Sequence, residues 1–248
     1  MSEFNLTYPI ENNQQESKVI KSGELLFLVG ANGAGKSTLM QKFASQNPGK
    51  VQRITAHRQV WFSSNTIDLT PATREQSEKN IINQDQQLAA RWRDDYAAQR
   101  SQVTIFDLID SENVEARKIA EAARARNMDE VERLASVQSP MAKLNDILKI
   151  SNLDIRITVD QGSKLLAVRG NSPAYSIAEL SDGERNAIII IANILTAPGN
   201  TLILLDEPER HLHRSIVSPL ISTLLAYRED CAFVISTHDV SLPLDQNK

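Results

Sequence analysis

The chain has 248 residues, of which 41% are hydrophobic and 23% are charged, so it can bury a core as one large domain or as a domain with an inserted subdomain. A formal net charge of -4 argues against a protein that coats nucleic acid over its whole surface. The longest apolar run, residues 187–197, includes Asn193 and is too short to span a bilayer. With no secretory leader recognisable, we expect a cytoplasmic protein that is not integral to a membrane. The single cysteine, Cys231, is expected to pack as a small apolar side chain.

The N-terminal part predicts a strand, a glycine-rich loop and a helix, in that order. Two short strands at 4–10 and 18–21 come first, and a buried strand follows at 24–29. A helix at 37–45 and another strand at 51–56 come after the glycines. The loop therefore joins the end of a strand to the N-terminus of a helix, where a bound anion is stabilised.

A helical insertion is predicted from 71 to 149, a segment rich in Ala, Glu, Gln, Arg and Lys. Charges of both signs alternate along it, which favours a solvated surface over a contact with nucleic acid. After the insertion, the sequence predicts a hairpin within 155–168, a helix at 186–195 and buried strands at 202–205 and 232–235.

Residues 30–37, Gly-Ala-Asn-Gly-Ala-Gly-Lys-Ser, match the phosphate-loop pattern G-x-x-x-x-G-K-[ST]. The glycines let backbone N–H groups surround an anion, Lys36 is placed to reach the β and γ phosphates, and Ser37 offers a hydroxyl to Mg²⁺. The alternative is a glycine-rich turn with an exposed lysine, but the flanking strand and helix favour the phosphate loop. We therefore predict that ATP and Mg²⁺ bind here, with the nucleotide held by Asn32, Gly33, Ala34, Gly35, Lys36, Ser37 and Thr38.

Residues 201–208, Thr-Leu-Ile-Leu-Leu-Asp-Glu-Pro, predict a hydrophobic strand that ends in two adjacent carboxylates. Asp206 is expected to hold Mg²⁺ together with Ser37, and Glu207 to orient and deprotonate the attacking water. An Asp-Glu pair after a strand can also form a turn or a helix cap. Because a phosphate loop occurs in the same chain, we predict ATP hydrolysis, with Glu207 and Lys36 as catalytic residues.

Residues 180–185, Leu-Ser-Asp-Gly-Glu-Arg, precede a predicted helix and resemble the Leu-Ser-Gly-Gly-Gln signature of the ABC superfamily, in the form seen in RecF/SMC-like members. The resemblance implies an α/β fold of the P-loop NTPase, ABC-ATPase type, with a mixed sheet, flanking helices and a helical insertion. It also implies that Ser181 and Gly183 bind ATP held by another subunit of a homodimer or higher homo-oligomer. Ser181 and Glu184 also match a capping box, and the two roles are compatible.

Two further assignments follow from the same resemblance. Residues 236–239, Ser-Thr-His-Asp, come after a core strand and resemble the switch-histidine motif, which implies that His238 contacts the γ-phosphate as a catalytic residue. Arg58 and Gln59 follow the strand beyond the first helix and resemble the Q-loop region. This implies that Arg58 contacts phosphate and that Gln59 contacts the nucleotide and Mg²⁺, the alternative being ordinary surface residues.

Residues 206–213, Asp-Glu-Pro-Glu-Arg-His-Leu-His, distinguish the chain from transporter ATPases, which usually continue with Ser-Ala-Leu-Asp. The string resembles the soluble RecF, OLD and SMC-like ATPases, including those of phage-defence systems such as Septu and PARIS. His211 and His213 have no further metal ligands nearby in the sequence, so we interpret them as dimer-interface residues.

We divide the chain into an N-terminal ATPase lobe at 1–70, a helical insertion at 71–150 and a C-terminal ATPase lobe at 151–248. Because it ends ten residues after His238, we expect a fragment or an incomplete ATPase half. The leading hypothesis is an ATP-driven clamp or sensor acting with double-stranded DNA or a nuclease partner, in phage defence or DNA repair. The alternative is a scaffold that uses ATP to assemble and sequesters an effector protein. A transporter subunit is a weaker alternative.

Overall fold

The computed structural model describes residues 2–55, 69–160 and 164–246. The strands are β1 (Glu3–Pro9), β2 (Gln15–Lys21), β3 (Leu25–Val29), β4 (Val51–Ile54), β5 (Arg156–Val159), β6 (Leu165–Val168), β7 (Tyr175–Ser176), β8 (Leu202–Asp206) and β9 (Ala232–Thr237). The helices are α1 (Lys36–Gln46), α2 (Pro71–Asp85), α3 (Ala97–Arg124), α4 (Met128–Ala135), α5 (Pro140–Ile150), α6 (Asp182–Thr196), α7 (Arg214–Tyr227) and α8 (Ser241–Asp245). Short 3-10 turns cover Glu11–Asn13, Leu88–Arg91 and Ile177–Glu179.

Four parallel strands form the central sheet in the order β3-β9-β8-β4. Every residue of β8 and β9 is buried, as expected for strands covered by helices on both faces. Helix α1 connects the two outer strands by crossing over β9 and β8. The carboxyl ends of β3, β8 and β9 therefore meet near the N-terminus of α1, the edge where open α/β sheets bind ligands.

The antiparallel strands lie in two separate sheets, one of β1 and β2 and one of β5, β6 and β7. The molecule thus contains both parallel and antiparallel strands. Among the described residues, no antiparallel strand pairs with a strand of the central sheet. The β1-β2 ribbon is attached to α1 through Gln46, whose side chain accepts a hydrogen bond from Thr7 N at 2.9 Å and donates one to Thr7 O at 3.0 Å.

The central sheet has an apolar core on each face. Because successive side chains of a strand point to opposite faces, Leu202 and Leu204 of β8 pack with α1 and the β1-β2 ribbon. Ile203 and Leu205 of the same strand pack with α3, α5, α6 and α7. Both cores are therefore built on the same two central strands.

The insertion is helical, as predicted, and comprises α2 to α5. Ile105 of α3 and Leu144 of α5 are fully buried in the same core as the isoleucines of α6. The insertion and the C-terminal segment therefore share one hydrophobic core.

A buried ion-pair network joins the insertion helices to the sheet. Arg100 of α3 donates to both oxygens of Asp85, at 3.0 and 2.7 Å, and to Asp94 at 2.9 Å. Burial alone would lower the pKa of Arg100, but the two carboxylates more than offset this, and its pKa is raised above the ordinary value. Asp85 also lies 3.7 Å from Arg53 of β4, which extends the network to the sheet.

The thiol of Cys231 is buried at the start of β9, in agreement with its expected apolar packing, and burial raises its pKa. Arg228 donates to Cys231 Sγ at 2.9 Å and to the carbonyl oxygen of Ala197 at 2.9 Å. The side chain of Arg228 thereby satisfies a carbonyl group at the C-terminus of α6.

Candidate nucleotide-binding site

The predicted phosphate loop lies between β3 and α1. Gly33 and Gly35 have φ values of +83° and +91°, in the left-handed region that favours glycine, so the loop curls tightly before the helix. Gly35 precedes α1 without a side-chain cap, which leaves the first N–H groups of the helix without side-chain partners. Such a helix N-terminus stabilises a bound phosphate.

Lys36 is directed into this loop. Its side chain is only 8% exposed, and Nζ donates hydrogen bonds to the carbonyl oxygens of Gly30 at 2.8 Å and Ala31 at 3.2 Å. Nζ also lies 3.5 Å from Glu207 Oε1. The phosphate loop and the acidic motif are thus in direct electrostatic contact.

Asp206 occupies the end of β8, beside β9. Its Oδ1 accepts a hydrogen bond from Ser236 Oγ at 2.5 Å, and its Oδ2 lies 3.9 Å from Arg53 Nη2. Oδ2 is buried and accepts no hydrogen bond from the described residues. A buried carboxylate oxygen of this kind fits a magnesium ligand.

Glu207 follows in an unusual backbone conformation, with a φ of +48°. Its N–H donates to Ser236 O at 3.0 Å, and its side chain lies between Lys36 and Arg210, the latter 3.8 Å away. A non-glycine residue in this region carries strain that the surrounding structure must offset. The site holds the Glu207 carboxylate close to the phosphate loop.

An open cleft brings several predicted residues together. It is lined by Asn32, Gly33, Gly35, Lys36, Ser37, Thr38, Arg91, Trp92 and Glu207. Arg91 and Trp92 were not predicted, because they lie in the helical insertion and match no motif.

Glu209 is a third residue of the site for which the sequence predicts no role, although it belongs to the acidic string after β8. Its Oε1 accepts hydrogen bonds from Thr237 Oγ1 at 2.7 Å and His238 N at 2.9 Å, and lies 2.9 Å from His238 Nδ1. The Glu209 side chain is only 8% exposed, whereas His238 is half exposed. His238 is therefore held at the end of β9 by a buried carboxylate.

The signature residues Ser181 and Gly183 lie at the N-terminus of α6, outside the cleft of the same chain. Ser181 and Glu184 form the expected capping box, with Glu184 N donating to Ser181 Oγ and Ser181 N donating to Glu184 Oε2 at 2.9 Å. A Cβ atom on Gly183 would lie 2.8 Å from the carbonyl oxygen of His211. The signature helix thus packs closely against the string that follows the carboxylates.

The remaining candidates are placed differently. Arg58 and Gln59 lie outside the described residues. His213 is the N-cap of α7, with Nδ1 accepting from Ser215 N at 3.3 Å. Its neighbour His211 is exposed, and neither belongs to a cluster of three potential metal ligands among the described residues. None of the described helices is both long and apolar enough to cross a membrane.

Comparisons with known proteins show the family to which the chain belongs. A family model described as "AAA domain, putative AbiEii toxin, Type IV TA system" matches residues 50–245. The match covers most of the chain, including the signature, the acidic motif and His238. The chain belongs to this AAA-domain family. No curated protein matches this chain at a significant level.

Solved structures agree with the predicted fold. The AAA domain is similar to the SMC head solved in complex with the C-terminal winged-helix domain of ScpA, with a TM-score of 0.51, 12% identity, and coverage of 98% of this chain and 92% of that one. It also matches a "Putative ABC transporter (ATP-binding protein)" from Pyrococcus furiosus, with a TM-score of 0.49, 13% identity, and coverage of 96% and 92%. The predicted α/β fold of the P-loop NTPase, ABC-ATPase type, is confirmed.

Proposed function

We propose that this AAA domain binds ATP with Mg²⁺ in the phosphate-loop cleft and hydrolyses it. The observation that carries the proposal is the position of Glu207, whose Oε1 lies 3.5 Å from Lys36 Nζ at the cleft. Asp206, the preceding residue, presents a buried oxygen without a hydrogen-bond donor among the described residues. Membership of a P-loop ATPase family supports the use of a nucleotide.

We assign roles to residues of the cleft and of the strand ends beside it. The loop N–H groups and Lys36 bind the phosphates, so phosphate oxygens take the place of the carbonyl groups that Lys36 now contacts. Ser37 and Asp206 would hold Mg²⁺, which supplies positive charge to the phosphate oxygens when bound. Glu207 acts as general base toward the attacking water. Glu209 keeps His238 at the edge of the sheet, from which His238 contacts the γ-phosphate.

We further propose that ATP is held between two copies of the chain. Ser181, Gly183 and the N-terminus of α6 form a second potential anion site, and it lies outside the cleft of its own chain. A second copy would bring a bound γ-phosphate to this site. Both composite sites would then require both chains, in a homodimer or a higher homo-oligomer.

The proposed role of this ATP-dependent dimer is that of a clamp or sensor that acts with double-stranded DNA or with a nuclease or effector partner, in phage defence or DNA repair. The description of the matching family names a toxin–antitoxin system, in which a toxin acts with an antitoxin, and this supports a function that involves a partner. Hydrolysis would reset the dimer after the partner has been engaged.

The test is ATP turnover by the purified chain, with and without double-stranded DNA, while light scattering follows its mass. Glu207→Gln should lower turnover about 10²- to 10⁴-fold, because it removes the general base, and should accumulate an ATP-dependent dimer. Glu229→Gln changes an exposed carboxylate outside the cleft and serves as the matched control.

The outcomes separate the candidate functions. DNA-stimulated turnover with salt-sensitive binding supports the clamp, because phosphate contacts release counterions. A stable ATP-dependent assembly that ignores DNA supports the scaffold instead. If Glu207→Gln hydrolyses ATP as fast as Glu229→Gln, the catalytic assignment is wrong.

A further inference from the structure

Trp92 is a large aromatic residue that is exposed beside the phosphate loop. It directly follows the 3-10 turn Leu88–Arg91 and lines the same cleft as Ser37 and Thr38, which lie in the first turn of α1. Its exposed fraction is 66%, which is high for a residue with so large an apolar surface. The burial of this surface by a ligand would be favourable.

Buried side chains hold the turn that carries Trp92. Gln41 of α1 donates from Nε2 to the carbonyl oxygen of Gln86 at 3.0 Å, and Arg53 of β4 donates from Nη1 to that of Ala90 at 3.0 Å. Gln41, Arg53 and Ala90 are each 4% exposed. The backbone at Trp92 is therefore fixed both to α1, the helix that follows the phosphate loop, and to the central sheet.

One face of the indole is already occupied. The Arg91 guanidinium lies over the ring, with Cζ 5.0 Å from the ring centroid, and Arg91 Nε donates to the carbonyl oxygen of Leu88 at 3.0 Å. A cation over an indole is attracted by the ring's π electrons. Two thirds of Trp92 nevertheless remains exposed, and the residue lines the cleft, so ring surface is left for a ligand to cover.

We propose that Trp92 stacks on the base of the nucleotide whose phosphates occupy the loop. The inference rests on the proposed ATP binding and adds the site for the base. Arg91 backs the indole from the other side and adds positive charge near the phosphates. Stacking contacts the π face of a base and not its hydrogen-bonding edge. Trp92 therefore distinguishes a nucleotide from inorganic triphosphate far more strongly than it distinguishes one purine from another.

The experiment compares two ligands that differ in the base. Calorimetric titration measures the affinity of the full chain for the non-hydrolysable analogue adenylyl imidodiphosphate and for inorganic tripolyphosphate, both with Mg²⁺ and at protein concentrations shown by light scattering to be monomeric. Trp92→Ala should lower the affinity for the analogue about tenfold or more, and the affinity for tripolyphosphate should stay within about twofold of the wild-type value. Trp92→Phe should restore most of the loss, because its ring can also stack.

Leu88→Ala is the matched control, because Leu88 belongs to the same turn, is also 66% exposed and does not line the cleft. It should leave both affinities unchanged. If Trp92→Ala loses affinity for both ligands equally, the phosphate loop is distorted and the inference is overturned. If Trp92→Ala leaves the affinity for the analogue unchanged but weakens dimerisation, Trp92 belongs to the contact with a second copy. This result would also overturn the inference. If the wild-type chain binds neither ligand, ATP binding itself fails, together with the inference.

Discussion

Glu209 shows how one buried carboxylate links the acidic motif to the end of the neighbouring strand. It belongs to the string after β8, yet its Oε1 contacts Thr237 and His238 after β9. Glu209 Oε1 contacts both the backbone N–H and the ring of His238, so it fixes the position of this residue at two points. Glu209 is therefore a positioning residue for His238.

Glu209→Ala should lower ATP turnover about 10- to 100-fold, the range found when a partner that orients a functional histidine is removed. Because Glu209 acts through His238, the double variant with His238→Ala should be no slower than His238→Ala alone. Glu179→Ala, which removes an exposed carboxylate, is the control. Multiplicative losses in the double variant would show that Glu209 acts independently of His238.

At the scale of residues, the sequence predicted the groups that belong to contiguous motifs. The phosphate loop could be read from spacing alone, and so could the two carboxylates at the end of a hydrophobic strand. Glu209 could not, because its partners are 28 and 29 residues away and meet it only through the parallel register that places Asp206 beside Ser236. Trp92 was missed for a similar reason, since its place in the cleft depends on the packing of the turn against α1.

At the scale of elements, the signature helix α6 is packed against the string that follows β8. Asn186 Nδ2 donates to the carbonyl oxygen of Arg210 at 2.6 Å, and Gly183 leaves no room for a side chain beside His211. A movement of the acidic motif would therefore be transmitted to the N-terminus of α6. The close approach makes glycine necessary at position 183.

Gly183→Ala tests this close packing. Alanine is ordinarily better than glycine in a helix by about 1 kcal/mol. Here the added Cβ would meet a backbone oxygen at 2.8 Å, so we expect the free energy of unfolding to fall by about 1 to 3 kcal/mol instead. Urea denaturation measures the change. Asp182→Ala, whose side chain is 78% exposed, should be close to neutral, and a stabilised Gly183→Ala variant would contradict the described approach.

The helices and strands themselves were largely predictable, because continuous apolar runs and glycine positions mark β3, β8 and β9. The capping box of α6 was also evident from Ser181 and Glu184. The sequence did not predict that the antiparallel strands form sheets of their own, since pairing depends on contacts between distant segments. It also gave no sign that the insertion helices share a core with α6.

At the scale of the whole molecule, two Arg-Asp pairs join the same helices α2 and α3 in different surroundings. Arg100 and Asp85 are almost fully buried, whereas the side chains of Arg74 and Asp107 are 25% and 23% exposed. Removal of Arg100 leaves two buried carboxylates, Asp85 and Asp94, without their shared cation, although Asp85 keeps a longer contact with Arg53 at 3.7 Å. When one partner is removed from a pair in contact with water, the free energy of unfolding falls much less.

Arg100→Met should therefore lower the free energy of unfolding by about 3 to 5 kcal/mol. Arg74→Met, the matched control between the same two helices, should lower it by about 1 kcal/mol or less. Both changes are measured by urea denaturation at pH 7. Equal losses in the two variants would mean that burial does not determine the contribution of these pairs.

The two cores on either face of the central sheet have a consequence for how the molecule opens. Since β8 and β9 contribute alternate side chains to both cores, neither strand can detach unless both cores are disrupted together. The amide groups of these strands should exchange with solvent only through global unfolding. Asp206 is the last residue of β8, and Glu207 and His238 directly follow β8 and β9, so the backbone that carries these proposed catalytic residues should resist local opening.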